Sequence, residues 1–144
     1  MKQSSGKVLI HSLAAVTLSA ASLLPYANAV TTDPVVQNAG SVSYVSGGVG
    51  LEALDRLDAM AGQYNLKLVF ALNSGAYLSD VRVNIADAAG KPLVDTQSEG
   101  PWFLTKLPAG TYHIVASYAG SSEKRTVAVG PGRMRTVDFR WARE

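Results

Sequence analysis

Few residues of this sequence could carry out catalysis. The 144-residue chain has two histidines, His11 and His113, and no cysteine, which excludes disulfides, thiolate metal sites and cysteine nucleophiles. Catalysis needs a nucleophile or a metal held beside a group that activates it, and a general base must reach the proton that it removes. His11 falls in an N-terminal leader, which leaves His113 as a single histidine. The sequence therefore predicts no enzyme, no catalytic residue and no cofactor.

Four acidic side chains raise the question of a calcium site. They are Asp80, Asp87, Asp95 and Glu99. Calcium loops alternate their acidic residues closely so that six or more oxygens surround one ion, and these four are spread over separate turns. We expect them to be solvated and to accept hydrogen bonds from nearby backbone N–H groups, with no metal bound.

Aromatic side chains suggest a second kind of site, because exposed rings can stack on sugars or peptides. Most of the rings share strand parity with aliphatic residues and are predicted core: Trp102, Tyr112, Tyr118, Phe139 and Trp141. Phe103 is out of phase with Trp102 and is predicted to be exposed. With Tyr77 in the 73-NSGAYL-78 loop, it would form a small patch for carbohydrate or peptide.

Basic side chains crowd the last part of the chain: Lys124, Arg125, Arg133, Arg135, Arg140 and Arg143. Arg133 and Arg135 are predicted to lie at the open end of the fold, before the last strand becomes regular. Two interpretations stay open for the whole group. The charges form a docking patch for an acidic partner, or they protect edge strands from aggregation.

Residues 1–29 have the three parts of a secretory signal peptide. Lys2 and Lys7 precede an apolar run over residues 8–24, and Ala27-Asn28-Ala29 supplies small residues for cleavage after Ala29. An uncleaved anchor is the alternative, but the run is short for a span. Cleavage would leave 115 residues with 11 basic side chains (13 less Lys2 and Lys7) against 11 acidic ones. This balance argues against nucleic-acid binding. The signal-peptide features predict a periplasmic or secreted protein with no membrane span after cleavage.

The remaining chain divides by its pattern of apolar residues. Residues 30–49 are small, polar and Gly-rich and are predicted to be a flexible lead-in, with room for one short strand at 41–45. Residues 50–65 are predicted to form an amphipathic helix, because apolar residues recur there at helical spacing: Leu51, Leu54, Leu57, Ala61 and Tyr64. Asn65 is expected to end the helix in a left-handed conformation. From residue 66 to 144 the period changes to two, with seven strands near 66–72, 80–87, 92–98, 101–107, 111–119, 123–129 and 135–141. The pattern predicts a mainly β antiparallel sandwich with one helix packed on it.

The segment from Asp80 to Trp141 resembles the carboxypeptidase regulatory-like domain, a transthyretin-like (prealbumin-like), Ig-like β-sandwich. The motifs that carry the resemblance are DAAGKPLVDT, SEGPWFLTKLPAGTYHIVASYAG and RTVAVGPGRMRTVDFRW. Trp102 and Leu104 stand where the family places alternate inward residues, and Leu107, Pro108, Gly110 and Tyr112 match its turn. The resemblance directs Tyr112 and Ile114 inward, so His113 should face outward.

The resemblance implies a bacterial accessory module, exported and without catalysis, that engages a protein partner of the cell envelope. A small carbohydrate- or peptide-binding domain is the alternative. A transthyretin-like hydrolase is a third reading, but that family uses several histidines and a C-terminal tetrapeptide ending in serine, whereas this chain ends in RWARE. The LPAGTY stretch is interpreted as the corner of a sheet, with Gly110 expected at positive φ.

Overall fold

A computed structural model of the protein describes residues 33–142, which form nine strands in two sheets and one short helix. The predicted leader lies outside these residues, so its cleavage after Ala29 stays a prediction. The elements are β1 (Gln37–Ala39), β2 (Val42–Gly47), α1 (Leu51–Met60) with a 3₁₀ turn (Ala61–Gln63), β3 (Leu66–Leu72), β4 (Arg82–Asp87), β5 (Pro92–Gln97), β6 (Trp102–Lys106), β7 (Gly110–Tyr118), β8 (Ser121–Val129) and β9 (Arg135–Trp141). No helix within this part of the chain is both long and apolar enough to cross a bilayer.

The two sheets have the strand orders β1-β2-β6-β3-β9 and β5-β4-β7-β8. The prediction of a mainly β sandwich is confirmed, but the count of seven strands and the fully antiparallel arrangement are wrong. β9 runs parallel to β3, with Leu66 beside Arg135 and Leu72 beside Trp141. A parallel pair needs a long crossover connection, and here the whole second sheet and β6 lie between the two strands in the sequence.

The predicted flexible lead-in over residues 30–49 contains an ordered hairpin. β1 and β2 pair through Ala39 and Val42 around a turn in which Gly40 has φ of 59°. β2 also pairs with β6, and its residues Val42, Tyr44 and Val45 are buried. The short strand expected at 41–45 corresponds to β2, which extends to Gly47. β1 and the end of β2 were not expected, because their small polar residues and glycines are also typical of loops.

The main core fills the space between the two sheets. Phe70, Phe103 and Phe139 are its largest fully buried side chains, and the Tyr44 ring stacks on Phe103 with 5.2 Å between ring centroids. The second sheet contributes Val83, Ile85, Ile114, Ala116, Val127 and others. Alternate residues of each strand thus meet across the sandwich, as aligned β-sheets require.

The helix covers the other face of the first sheet. A second cluster contains Leu57 and Tyr64 from the helical segment and Val45 and Leu104 from the sheet, with Met60, Trp102 and Met134 packed around them. Packing of an apolar helix face on the sheet was expected. Leu51 was expected to belong to this face but is 80% exposed, because the helix begins at this residue and only its later turns are covered.

The turn between β7 and β8 contains a non-glycine residue in the left-handed region. Ala119 has φ of 49° and Gly120 has φ of 79°, and Tyr118 pairs with Ser121 across them. Two positive φ values in a two-residue loop define a type I′ turn, for which Asn-Gly is the preferred sequence. The turn therefore carries a steric cost at Ala119 that asparagine would reduce.

We expect Ala119→Asn to stabilise the protein by about 0.5–1 kcal/mol, since asparagine tolerates the left-handed conformation better than alanine does. Urea denaturation of both proteins measures the change. An Ala89→Asn variant is a suitable control, because Ala89 is also an exposed turn residue but has no positive φ. Equal stability of the Ala119→Asn variant and the original protein would contradict the turn assignment.

Candidate functional site

The structure places Tyr77, from the predicted aromatic patch, far from Arg133 and Arg135, from the predicted basic patch. β3 contacts the two sets of residues at its opposite ends. Leu66, at the start of β3, pairs with Arg135, and Ala71, near the end of β3, forms a β-bridge with Tyr77. The five residue steps from Leu66 to Ala71 correspond to about 17 Å along the strand. We call the end with the turns 88–91, 107–110 and 130–134 the basal end, and the end with the loop 73–80 the apical end. Arg133 and Arg135 are basal and exposed, whereas Tyr77 is apical and 55% exposed.

Phe103 does not belong to an exposed patch. Its ring is fully buried against Tyr44, so the prediction of an exposed ring at this position is wrong. β6 lies between β2 and β3 and is covered by the second sheet on one face and the helix on the other. Trp102 and Leu104 pack on the helix side, opposite to the expected direction. A pair of exposed rings for sugar or peptide stacking is therefore not present at Tyr77 and Phe103.

A cleft of about 410 Å³ lies at the basal end, where the helical segment meets two turns of the sandwich. The end of the 3₁₀ turn, the segment from Lys106 to Ala109 and the turn at Pro131 line it. The full set of lining residues is Gly62, Gln63, Tyr64, Asn65, Lys106, Leu107, Pro108, Ala109, Pro131 and Gly132. The LPAG stretch thus forms one wall of a cleft as well as a corner of the sheet.

Asn65 fixes the LPAG wall to the first sheet. Its side-chain Nδ2 donates to the Leu107 carbonyl at 2.6 Å, and its Oδ1 accepts from the Leu107 backbone N–H at 2.9 Å. The amide therefore makes the pair of hydrogen bonds that a strand residue would make. The expectation that Asn65 is a left-handed helix stop is wrong, because Asn65 has no positive φ. Its role as a clamp follows from a contact 42 residues away and has no local sequence signal.

Tyr112 fixes the other side of the same turn. Its hydroxyl donates to the Pro108 carbonyl at 2.5 Å, four residues upstream. This arrangement is the tyrosine corner found in Greek-key sandwiches. Burial, and secondarily the charge of Asp87, raise the pKa of the Tyr112 hydroxyl. Gly110 does not have the expected positive φ, and a Cβ there would meet no atom closer than 3.7 Å.

One basic residue lines the basal cleft, and two more follow its lining residues in the chain. Lys106 lines it, Arg133 directly follows the lining residue Gly132, and the Arg135 backbone N–H donates to the Asn65 carbonyl at 2.9 Å. Between the two arginines, Met134 packs on the helix-side cluster and anchors the turn. Neither arginine has an ion pair with an acidic residue among residues 33–142. Burial also raises the pKa of the Tyr64 hydroxyl, so this lining group stays neutral at physiological pH.

No protein-family profile matches the chain. A comparison with curated proteins gives no significant match either. What the protein can bind is therefore inferred from its own contacts and charges.

The exposed face of the second sheet holds His113 and Thr126 as a cross-strand pair. The His113 Nδ1 and the Thr126 hydroxyl lie 3.1 Å apart, and both side chains are exposed. The outward orientation expected for His113 agrees with this position. Two clefts of about 320 Å³ lie around Asp95 on β5 and around Asp87. His113 lines neither of these nor the basal cleft.

The acidic residues considered for a calcium site lie in different parts of the fold and make separate contacts. The Asp87 carboxylate accepts from the backbone N–H groups of Ala89 and Lys91 at 3.0 and 2.9 Å. Asp95 pairs with the Arg82 guanidinium at 3.0 Å. Asp80 has φ of 59° and its backbone N–H donates to the Ser98 carbonyl. Among residues 33–142, no three potential ligands lie close enough together to hold a metal ion.

Lys67 is a polar feature that the sequence reading missed. Its Nζ lies 3.2 Å from the centroid of the Trp102 ring, on the helix side of the first sheet. Burial lowers the pKa of Lys67, and the nearby charges of Asp58 and Asp138 act against this shift. The signal was present in the alternation of Leu66, Lys67 and Leu68, which places one charge on an otherwise apolar face. The ring of Trp102 provides the partner that makes this placement favourable.

Proposed function

We propose that the protein is a non-catalytic, exported binding module of the cell envelope that holds an acidic segment of a partner protein at its basal end. Export to the periplasm or to the medium rests on the signal-peptide features of residues 1–29. The proposal assigns recognition to the basal cleft and to the side chains of Lys106, Arg133 and Arg135. It involves no cofactor and no nucleic acid.

The observation that carries the proposal is the position of two exposed arginines, without acidic partners in the described chain, next to the residues that line a cleft of about 410 Å³. Arginine presents a planar set of donors that matches carboxylates, and exposed cations steer acidic ligands toward a surface. The cleft walls are short turns held by Asn65 and Tyr112, so the site is formed before a ligand arrives. Preformed sites bind with a smaller loss of conformational entropy.

We also propose that residues 66–144 form a carboxypeptidase regulatory-like, transthyretin-like domain. The tyrosine corner at Tyr112 and Pro108 supports this proposal, since it joins the LPAG turn to the long strand β7 in the manner of Greek-key sandwiches. The helix and the parallel pair of β3 and β9 are additions to the simple antiparallel pattern. Domains of this type position or bind other proteins, and one scaffold serves many partners.

Charge reversal tests the proposed role of the basal end. We expect Arg133→Glu and Arg135→Glu each to reduce capture of the partner from envelope extracts by at least tenfold. Both side chains are exposed, so the substitutions should leave the fold intact. Quantitative mass spectrometry of proteins retained by immobilised original and variant protein measures the difference.

Lys124→Glu is the matched control, since it makes the same change of charge at an exposed residue on β8. Capture by this variant should equal that of the original protein. If all three variants retain the same proteins equally well, recognition does not occur at the basal end. Equal losses in all three would show that total charge, rather than this site, determines binding.

A further inference from the structure

The first sheet ends in a seven-residue strand with an open edge. Among the strands of residues 33–142, β9 pairs with β3 alone in this sheet, in parallel. The Arg135 N–H donates to the Asn65 carbonyl at 2.9 Å, and the Trp141 carbonyl accepts from the Asn73 N–H at 2.7 Å. In a parallel pair each alternate residue directs both backbone groups to the same neighbour. The backbone groups of Thr136, Asp138 and Arg140 therefore point away from β3 and toward the open edge.

The other edges of the sandwich carry features that hinder pairing with another strand. β1 has only three residues, and β5 begins at Pro92 and has a register shift opposite Ile85 and Ala86. On β8, Glu123 and Arg125 lie opposite the inward residues Ala116 and Ile114, so charged side chains occupy the inner face. Short strands, prolines, bulges and inward charges are the usual protections of β-edges. Within residues 33–142, β9 is long, has no proline and keeps a regular register with β3, and its charge on the inward side is confined to Arg135 at the first position of the strand.

The outer face of β9 carries opposite charges two residues apart. Asp138 and Arg140 are both exposed, and neither forms an ion pair with another residue of the range 33–142. The Arg140 guanidinium donates to the Leu72 carbonyl at 3.3 Å. Two opposite charges at this spacing can neutralise each other between antiparallel strands of the same sequence.

We propose that β9 pairs with β9 of a second copy of this chain, antiparallel and with Phe139 on the two-fold axis. This register places Asp138 of each copy opposite Arg140 of the other, so two ion pairs form on the outer face. The same residues have free backbone groups at the edge, so they form the hydrogen-bonded pairs of the new ladder. The result is a continuous ten-stranded sheet across the dimer, with the interface of a two-fold dimer.

Charge selects this register over its neighbours. Pairing centred on Asp138 would place two carboxylates directly opposite each other, which is unfavourable across strands. Pairing centred on Val137 would place Asp138 opposite Thr136 and Arg140 opposite Met134, with no ion pair. The two ion pairs involve the middle of β9, whereas the basal site includes the first residue of this strand, Arg135, and the turn before it. Dimer formation is thus independent of the function proposed for that cleft.

Sedimentation equilibrium over a range of concentrations tests the proposal with protein expressed from the full sequence and purified as the cells process it. We expect the original protein to dimerise reversibly. Asp138→Arg and Arg140→Asp should each raise the dissociation constant at least tenfold, because each leaves like charges opposite one another. An equimolar mixture of the two variants should dimerise again, since every Arg then faces an Asp.

Mixing the Asp138→Arg and Arg140→Asp variants tests the proposed pairing of residue 138 with residue 140 in particular. Misfolding of a variant would not be repaired by mixing, and circular dichroism of each variant alone confirms that it is folded. A Lys124→Asp variant, altered on β8, should dimerise like the original protein. An original protein that is monomeric at every concentration would overturn the proposal. Dimers that tolerate both single variants, or variants that do not recombine, would overturn it as well.

Discussion

Replacing Gly100 with alanine is expected to destabilise the protein by about 3–5 kcal/mol, because there is no space for a Cβ atom at this position. An alanine Cβ would lie 2.7 Å from the Cα of Gly47 and still closer to the carbonyl carbon and oxygen of that residue. These are backbone atoms, which cannot move aside as a side chain can. The close approach of two backbone segments therefore requires glycine.

The surrounding hydrogen bonds prevent the two segments from separating. Residues 98–101 carry the chain from β5 in the second sheet to β6 in the first. The Glu99 N–H donates to the Ser46 hydroxyl at 2.9 Å, and the Pro101 carbonyl accepts from the Phe70 N–H at 2.9 Å. Moving Gly100 away from Gly47 would break such bonds and leave buried polar groups unpaired, which costs about 1–3 kcal/mol each.

Thermal or urea denaturation of Gly100→Ala measures this loss. Gly110→Ala is the matched control, since Gly110 has no positive φ and the new Cβ would make only an ordinary contact with Tyr112. We expect the free energy of unfolding of Gly110→Ala to lie within about 1 kcal/mol of the value for the original protein. Gly100→Ala with unchanged stability would show that the crossing of the two segments is different from the one described.

Replacing Leu57 with aspartate is expected to cost about 4 kcal/mol or more. Leu57 is fully buried between the helix and the first sheet, where it packs with Val45, Tyr64 and Leu104. A carboxylate there would lose its hydration among the apolar side chains of this cluster. The helix would then separate from the sheet or the protein would unfold.

Leu51→Asp provides the comparison on the same helix. Leu51 is 80% exposed and occupies the first helical residue, where a negative charge is favoured by the helix dipole. We expect the Leu51→Asp substitution to change the protein's free energy of unfolding by less than about 0.5 kcal/mol. Similar effects of the two substitutions in urea denaturation would mean that the helix does not pack through the Leu57 face.

The sequence predicted the strands from Leu66 to Trp141 within one or two residues. Alternating apolar residues defined them, and residues such as Gly90, Gly120 and Pro131 marked the turns between them. β1 and the full length of β2 could not be predicted, because small residues such as Ser43 and Ser46 are stabilised there by pairing with β6 rather than by local preference. Tertiary context overrides strand propensity in such segments.

Side-chain direction was harder to predict than strand position. Along Trp102, Phe103 and Leu104 every residue is apolar, so parity could not tell which face meets the second sheet and which meets the helix. Strands that are covered on both faces lose the alternation that marks an exposed side. The separation of Tyr77 from Arg135 depends on strand order, and the Asn65 clamp depends on a distant contact. Neither is encoded in local spacing.

Photo-crosslinking in cells tests the basal binding site most directly. Ala109 is exposed and lines the basal cleft, whereas Ser74 is exposed in the apical loop. A photoreactive amino acid in place of Ala109 should produce a crosslink to an envelope protein, and Arg133→Glu should abolish it. The same amino acid in place of Ser74 should give no such crosslink. Crosslinks from position 74 alone, or from neither position, would contradict a partner-binding site at the basal end.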